Sequence, residues 1–406
     1  MIKKQLIYGY LSQLITLIGG VFFLIFLPKS VGVENYGLFM LILTYVSLFG
    51  IFLGVPIQDA IKKELVEEKL NNKGKEIIAN GYILRIVINI IFFMIFYFLY
   101  NNIEGIKDIN YIYLILIFLF VNISGMPQNI FYALHDNKTN FHFVFIEYFL
   151  QIILLLIFYF TDKNLSINDI IIAFVIGYAV PTIYYSFNIF IKNKIKIFEF
   201  NYDISKTLII RYIWLSLSSV SFILLTSIDN VMISYFFSNK ELGYYNIATN
   251  IVNKSTIFTI AIVMGILPLF NINQDKIVIK ELFKKYLKWI IGLNLIITIT
   301  IIYLSDFGIN LIYGKGFESS IKIMEILSLF PLFAVLQSFF SGILTNYGNY
   351  KTIMIISIFI AILNIILNFI LVNLLGLIGI SIATIISYGI WILILGLYIK
   401  NRIINN

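Results

Sequence analysis

Apolar residues run along this chain in stretches of roughly twenty, and polar residues gather in the short intervals between them. Such a stretch, at about 1.5 Å rise per residue, makes a helix that crosses a hydrocarbon layer of about 30 Å. The pattern predicts about twelve spans, near 6–27, 36–58, 77–100, 111–133, 143–160, 169–190, 207–236, 241–270, 286–304, 318–343, 353–373 and 376–398. The two longest, 207–236 and 241–270, are expected to tilt or to protrude into the headgroup region. Barrel strands would alternate polar and apolar positions in pieces of about ten residues, and the chain does not.

Composition agrees. Of 406 residues, 60% are hydrophobic and 12% charged, with mean hydropathy +0.95, far too little charge for a soluble surface. The fold class expected is an all-α polytopic membrane protein. Without cysteine, disulfides, iron–sulfur clusters and thiol chemistry are excluded. The first apolar run continues to Pro28 with no small-residue cleavage site and reads as a retained span.

The net charge of +8 points to one face of a membrane and not to nucleic acid. With a cytoplasmic N-terminus, one set of loops carries Lys3, Lys4, Lys62, Lys63, Lys69, Lys73, Lys75, Lys138, Lys192, Lys194, Lys196, Lys206, Lys276, Lys280, Lys284, Lys285, Lys288, Lys351, Lys400 and Arg402. The other set carries Lys29, Lys107, Lys163, Lys240 and Lys315. This asymmetry predicts that both termini are cytoplasmic.

Weak repetition appears at half the chain length. VGVENYGLF after the first span returns as SNKELGYYN after the seventh, aligning Gly37 with Gly243. ALHDNKTNF after the fourth has a counterpart in ILTNYGNYKT after the tenth, and the lysine-rich intervals 61–76 and 274–288 follow the second and eighth. Two six-helix bundles are expected, 1–200 and 201–406, related by a pseudo-two-fold axis along the membrane normal.

No P-loop and no GxSxG is present, and the two histidines, His135 and His142, with Asp136 and Glu147 nearby, match no common ligand spacing, so neither an enzyme nor a metal site is expected. What remains is charge inside spans: Arg85, Glu147, Arg211, Asp229, Lys254, Lys322 and Glu325. A charge facing lipid at mid-depth costs about 3 kcal/mol or more, so such residues face protein or water. Glu147 and Arg211 fall near a predicted cytoplasmic end, where snorkelling accounts for them. Lys322 and Glu325 are spaced to pair with each other. Arg85 and Lys254 lie deeper. Asp229 sits on the neighbour of the helix carrying Lys254, where Asn246, Asn250 and Asn253 form one polar sector. Two readings stay open: a hydrated cavity for an anionic headgroup, or an ion pair and amide hydrogen bonds holding two helices together.

SIDNVMISYFFSNKELGYYNIATNIVNK (227–254), LIYGKGFESSIKIMEILSLF (311–330), GILTNYGNYKT (342–352) and NIILNFILVNLLGLIGISIATIIS (364–387) resemble the polysaccharide-export flippases, the Wzx-type transporters of O-antigen and related repeat units. The first half is similar more loosely, through GVENYGLF. The superfamily also holds multidrug exporters and the flippase for the peptidoglycan precursor. The resemblance implies an undecaprenyl-pyrophosphate-linked oligosaccharide as substrate, moved from the cytoplasmic to the outer leaflet of the inner membrane by rocking of two halves around a wet cavity. Arg85 and Lys254 are then candidates for the pyrophosphate, with Asp229, Asn250 and Asn253 as further cavity candidates and Glu147, Arg211, Lys322 and Glu325 as secondary ones. Implied partners are the bilayer, a polysaccharide polymerase and its chain-length machinery, and a proton or sodium ion for coupling; no cofactor and no nucleic acid is implied. The segment VPIQDAIKKE departs from the family, where an arginine often stands near the position of Gln58. The alternative is a cation-coupled multidrug or metabolite exporter, which would favour acidic cavity residues over the basic mid-depth set found.

Overall fold

The computed structural model describes residues 2–103, 105–107, 109–162, 165–196, 200–270 and 276–404, with backbone alone at 2–3, 99, 102, 162, 214–222, 226, 276 and 403–404. Lys163 therefore lies outside the described residues, as do the side chains of Lys3 and Lys276. The chain clusters into two compact units, Met1–Ile223 and Leu224–Asn406.

In the first unit α1 (Ile2–Gly50) contains the first predicted span and most of the second, bent where Gly32 takes φ 77, a conformation open to glycine. Four residues of turn follow, and α2 (Val55–Glu68) restarts the second span with a proline in its first turn. Then come α3 (Asn72–Leu99), α4 (Tyr111–Ala133), α5 (Asn137–Asp162) and α6 (Ile167–Lys192). The unit boundary falls inside α7 (Tyr202–Phe236). The second unit continues with α8 (Asn239–Ser255), α9 (Ile257–Ile266), α10 (Lys276–Ile312), α11 (Ser319–Leu327), α12 (Phe330–Asn346), α13 (Tyr350–Leu375) and α14 (Leu377–Ile399).

Among the described residues ten helices are long and apolar enough to cross a membrane, one being the bent Lys4–Gly50 with length for two crossings. Eleven of the predicted spans are accounted for in this way; the remaining one, 207–236, falls on α7, where the side chains of 214–222 and 226 lie outside the described residues. Several boundaries need correction. The interval 61–76 is largely helix, because α2 runs to Glu68 and α3 begins at Asn72. The outer interval 305–317 is mostly the end of α10. Spans 8 and 10 are each two helices, α8 with α9 and α11 with α12.

The two units repeat one plan. In the register that aligns Gly37 with Gly243, Ile51, where the second span breaks, falls on Ile257, just past the break between α8 and α9. The paired turns after α4 and α12 end in the same cap. Asp136 N–H donates to Phe131 O at 2.9 Å, and Asn349 N–H to Leu344 O at 2.9 Å. His135 (φ 57) and Gly348 (φ 73) take the left-handed position. Helix α4 packs on α6 as α12 packs on α14, and α5 on α6 as α13 on α14.

Each unit has its own apolar core. Ile57, Ile61, Ile78, Met126, Ile130 and Phe143 fill the first, and Val335, Phe339, Ile360, Trp391 and Leu395 lie in the second. Outward faces are apolar as well. On α3, Tyr82, Arg85 and Asn89 are buried while Ile86, Ile90, Met94 and Ile95 are exposed, the polar-inward order of a helix in lipid.

Candidate functional site

The first polar cluster is built around the break in the second span. A broken helix leaves carbonyls without intrahelical donors. Tyr212 Oη–H donates to Ile51 O at 2.7 Å and Asn89 Nδ2 to Leu53 O at 3.2 Å. Gly54 takes φ 84, and a Cβ there would lie 3.3 Å from Arg85 Cδ and 3.4 Å from Arg85 Nη1. The break thus makes room for the arginine. Arg85 is 1% exposed. Its Nη2 donates to the carbonyl of Asn122 on α4, while Nε and Nη1 have no partner. Gln58 Nε2 donates to the same Asn122 carbonyl at 2.5 Å, and Asn129 Nδ2 to Gln58 Oε1 at 3.3 Å. Close approach of α4 needs Gly125, where a Cβ would fall 2.1 Å from Gln58 Oε1.

The second cluster belongs to the other unit. Asp229, 5% exposed, accepts from Tyr245 Oη at 2.8 Å, Asn368 Nδ2 at 2.6 Å and Thr384 Oγ1 at 2.7 Å. Asn368 Nδ2 also reaches Asn364 Oδ1 at 3.2 Å. Asp229 is therefore held by neutral donors from α8, α13 and α14. The expected alternatives for it were substrate contact or a pair with Lys254; no such pair is present among the described residues. The amide carbonyls, hydroxyls and single carboxylate are hard oxygen groups, of the kind that take a proton or an alkali cation. No group of three or more His, Cys, Asp or Glu occurs among the described residues.

The polar sector of α8 does not share one environment. Asn246 is buried in a reciprocal amide pair with Asn230 (3.1 and 3.4 Å), Asn250 is half-buried and Asn253 exposed. Lys254 is half-buried one residue before the end of α8, at the break that corresponds to the one beside Arg85. Glu147 is not a snorkelling end residue. Helix α5 starts at Asn137, six residues before the predicted span, which carries Glu147 into the interior at 6% exposure with Gln128 Nε2 at 3.3 Å. Arg211 forms an ion pair with Glu64 of α2. Lys322 and Glu325 are exposed on α11 and do not pair; Glu325 accepts from Ser305 at 3.3 Å.

Sequence reasoning singled out Gln58 only as a departure from the family, and missed Asn89 and Asn122 around Arg85 and Tyr245, Asn364, Asn368 and Thr384 around Asp229. Buried asparagines inside apolar runs, above all the Asn364–Asn368 pair one turn apart, were the available signal.

Among the described residues, two similar halves, each with a broken second span and a buried polar cluster, define a polytopic membrane protein. Residues 2–274 match the family described as Polysaccharide biosynthesis protein, and residues 168–405 match Lipid II flippase MurJ. The chain belongs to the polysaccharide biosynthesis protein family. It is 25% identical to an uncharacterized membrane protein of Methanocaldococcus jannaschii over 98% of both chains. Among solved structures, the lipid II flippase MurJ in its inward closed conformation is similar at TM-score 0.76 and 20% identity, covering 98% of this chain and 87% of that one. An inward-facing multidrug resistance MATE family transporter is similar at TM-score 0.75 and 16% identity, covering 97% and 94%.

Proposed function

We propose that this flippase turns undecaprenyl-pyrophosphate-linked oligosaccharide repeat units from the cytoplasmic to the outer leaflet of the cytoplasmic membrane, by alternating access, for O-antigen, capsule or another surface polysaccharide. The observation that supports this most is Arg85: a buried guanidinium with two nitrogens lacking any partner. A buried cation without an anion is costly, and a fork of free N–H groups suits a pyrophosphate oxygen. Lys254 is the half-buried cation at the equivalent break of the second unit. Gln58 and Arg85 share the Asn122 carbonyl, so Arg85 supplies the cation that relatives often carry near Gln58.

A proton or sodium ion coupling to transport is assigned to Asp229, the buried carboxylate with neutral partners only. At the first break, Arg85 with two unpartnered nitrogens disfavours a cationic drug there.

The test is flipping of a lipid-linked oligosaccharide in proteoliposomes, with matched protein amounts. Arg85→Ala and Lys254→Ala should each abolish or severely reduce it, and Arg85→Lys should restore part. Full activity in both alanine variants would overturn the headgroup assignment. Drug efflux with no flipping would overturn the substrate class.

A further inference from the structure

Helix α10 opens with a basic stretch, Lys280, Lys284, Lys285 and Lys288, before its apolar run. Lys280 and Lys284 are one turn apart on one face, where like charges repel. Both border a cleft of about 370 Å³ whose third cation is Lys400 and whose floor is Phe283, Leu287 and Phe340. Gly396 of α14 completes the floor, and a Cβ there would lie 3.3 Å from the Phe340 ring, so a bulky side chain at this position would take up cleft space. From Lys400 the end of α14 widens into a π-helical turn, Lys400–Ile404, that packs against α10. Trp289, 71% exposed, and Tyr286, with Lys285 Nζ 5.6 Å over its ring, set the depth: aromatic rings of this kind sit at headgroup level.

We propose that this cleft of the C-terminal unit is a binding site for an anionic phospholipid, its phosphate among Lys280, Lys284 and Lys400 and an acyl segment on Phe283, Leu287 and Phe340. Charge complementarity selects the anionic headgroup, and basic pockets between membrane helices take such lipids. The apolar floor selects a lipid over a free anion, because inorganic phosphate gains nothing from three hydrocarbon walls. Glu281, the acidic neighbour on α10, is exposed and does not line the cleft. The site is independent of what the protein transports.

The experiment is native mass spectrometry of the full chain after incubation with equimolar phosphatidylglycerol and phosphatidylcholine. Wild type should retain phosphatidylglycerol preferentially. Lys280→Gln/Lys284→Gln/Lys400→Gln should lose that preference by about tenfold or more. Lys62→Gln/Lys63→Gln/Lys69→Gln, which removes the same charge from the other unit, should keep it. Gly396→Leu keeps every lysine but fills the floor, and should also lose the bound lipid; if it does not fold, Leu287→Trp fills the cleft from α10. Equal retention of both lipids by wild type, an equal loss in the control triple, displacement by inorganic phosphate, or full retention with the cleft filled would each overturn the proposal.

Discussion

Arg85 and Asp229 are both buried charges, and their surroundings treat them differently. Asp229 has three donors within 2.8 Å, whereas Arg85 gives one hydrogen bond from Nη2 and leaves Nε and Nη1 unpartnered. Each donor stranded by Asp229→Ala costs about 1–3 kcal/mol, so that variant should unfold well below wild type in detergent, with Asp229→Asn in between. Arg85→Met removes an underpaired charge and keeps an apolar stem, a change that is often neutral or stabilising. Its melting temperature should equal or exceed that of wild type while flipping is lost, the trade expected of a functional residue. Destabilisation by about 3 kcal/mol or more would instead make Arg85 a structural group. The Arg211–Glu64 pair, with Arg211 at 41% exposure, should matter little: for a partly exposed pair Glu64→Gln should cost about 1 kcal/mol or less.

At the scale of elements the break at 51–54 determines where Arg85 can go. Gly54→Ala meets a left-handed φ of 84, a strain of roughly 1–2 kcal/mol, and sets a methyl against the Arg85 side chain. It should lower flipping far more than Gly265→Ala in α9, where nothing lies within 4 Å and helix propensity favours alanine; equal effects would detach transport from the break. This break was foreshadowed in sequence by Gly54 followed by Pro56. The one at Thr256 has neither glycine nor proline beside it, which is why 241–270 read as a single span. Helix α4 was legible residue for residue because its apolar run is bounded sharply, by Asn110, which caps its start, and by the polar stretch from His135 after its end. Helix α5 was not: its first turn, Asn137–Asn140, is polar and reads as loop, and that error misplaced Glu147. The charges of the candidate site were legible as exceptions within apolar runs. Their partners were not, since Asn368 and Thr384 stand 139 and 155 residues from Asp229, and no local pattern encodes contacts of that range.

For the whole molecule, sidedness is what the lysine distribution decides and hydrophobic patterning alone does not. Charged loops are retained on the cytoplasmic face, and the rule is read loop by loop. Lys69 before α3 and Lys351 in α13 belong to the basic set; Lys240 at the start of α8 and Lys315 after α10 belong to the sparse one, and all four are exposed. Because the chain contains no cysteine, each can be replaced singly without a background. On intact cells a membrane-impermeant maleimide should label Lys240→Cys and Lys315→Cys, and should reach Lys69→Cys and Lys351→Cys only after permeabilisation. The pairs are diagnostic together. Lys240 and Lys351 are separated by the broken α8–α9 span, α10 and the broken α11–α12 span, an odd number of crossings. If both labelled from the same side, one of these three segments would have to be re-entrant, and were it α8–α9 the break beside Lys254 would no longer lie within a crossing helix.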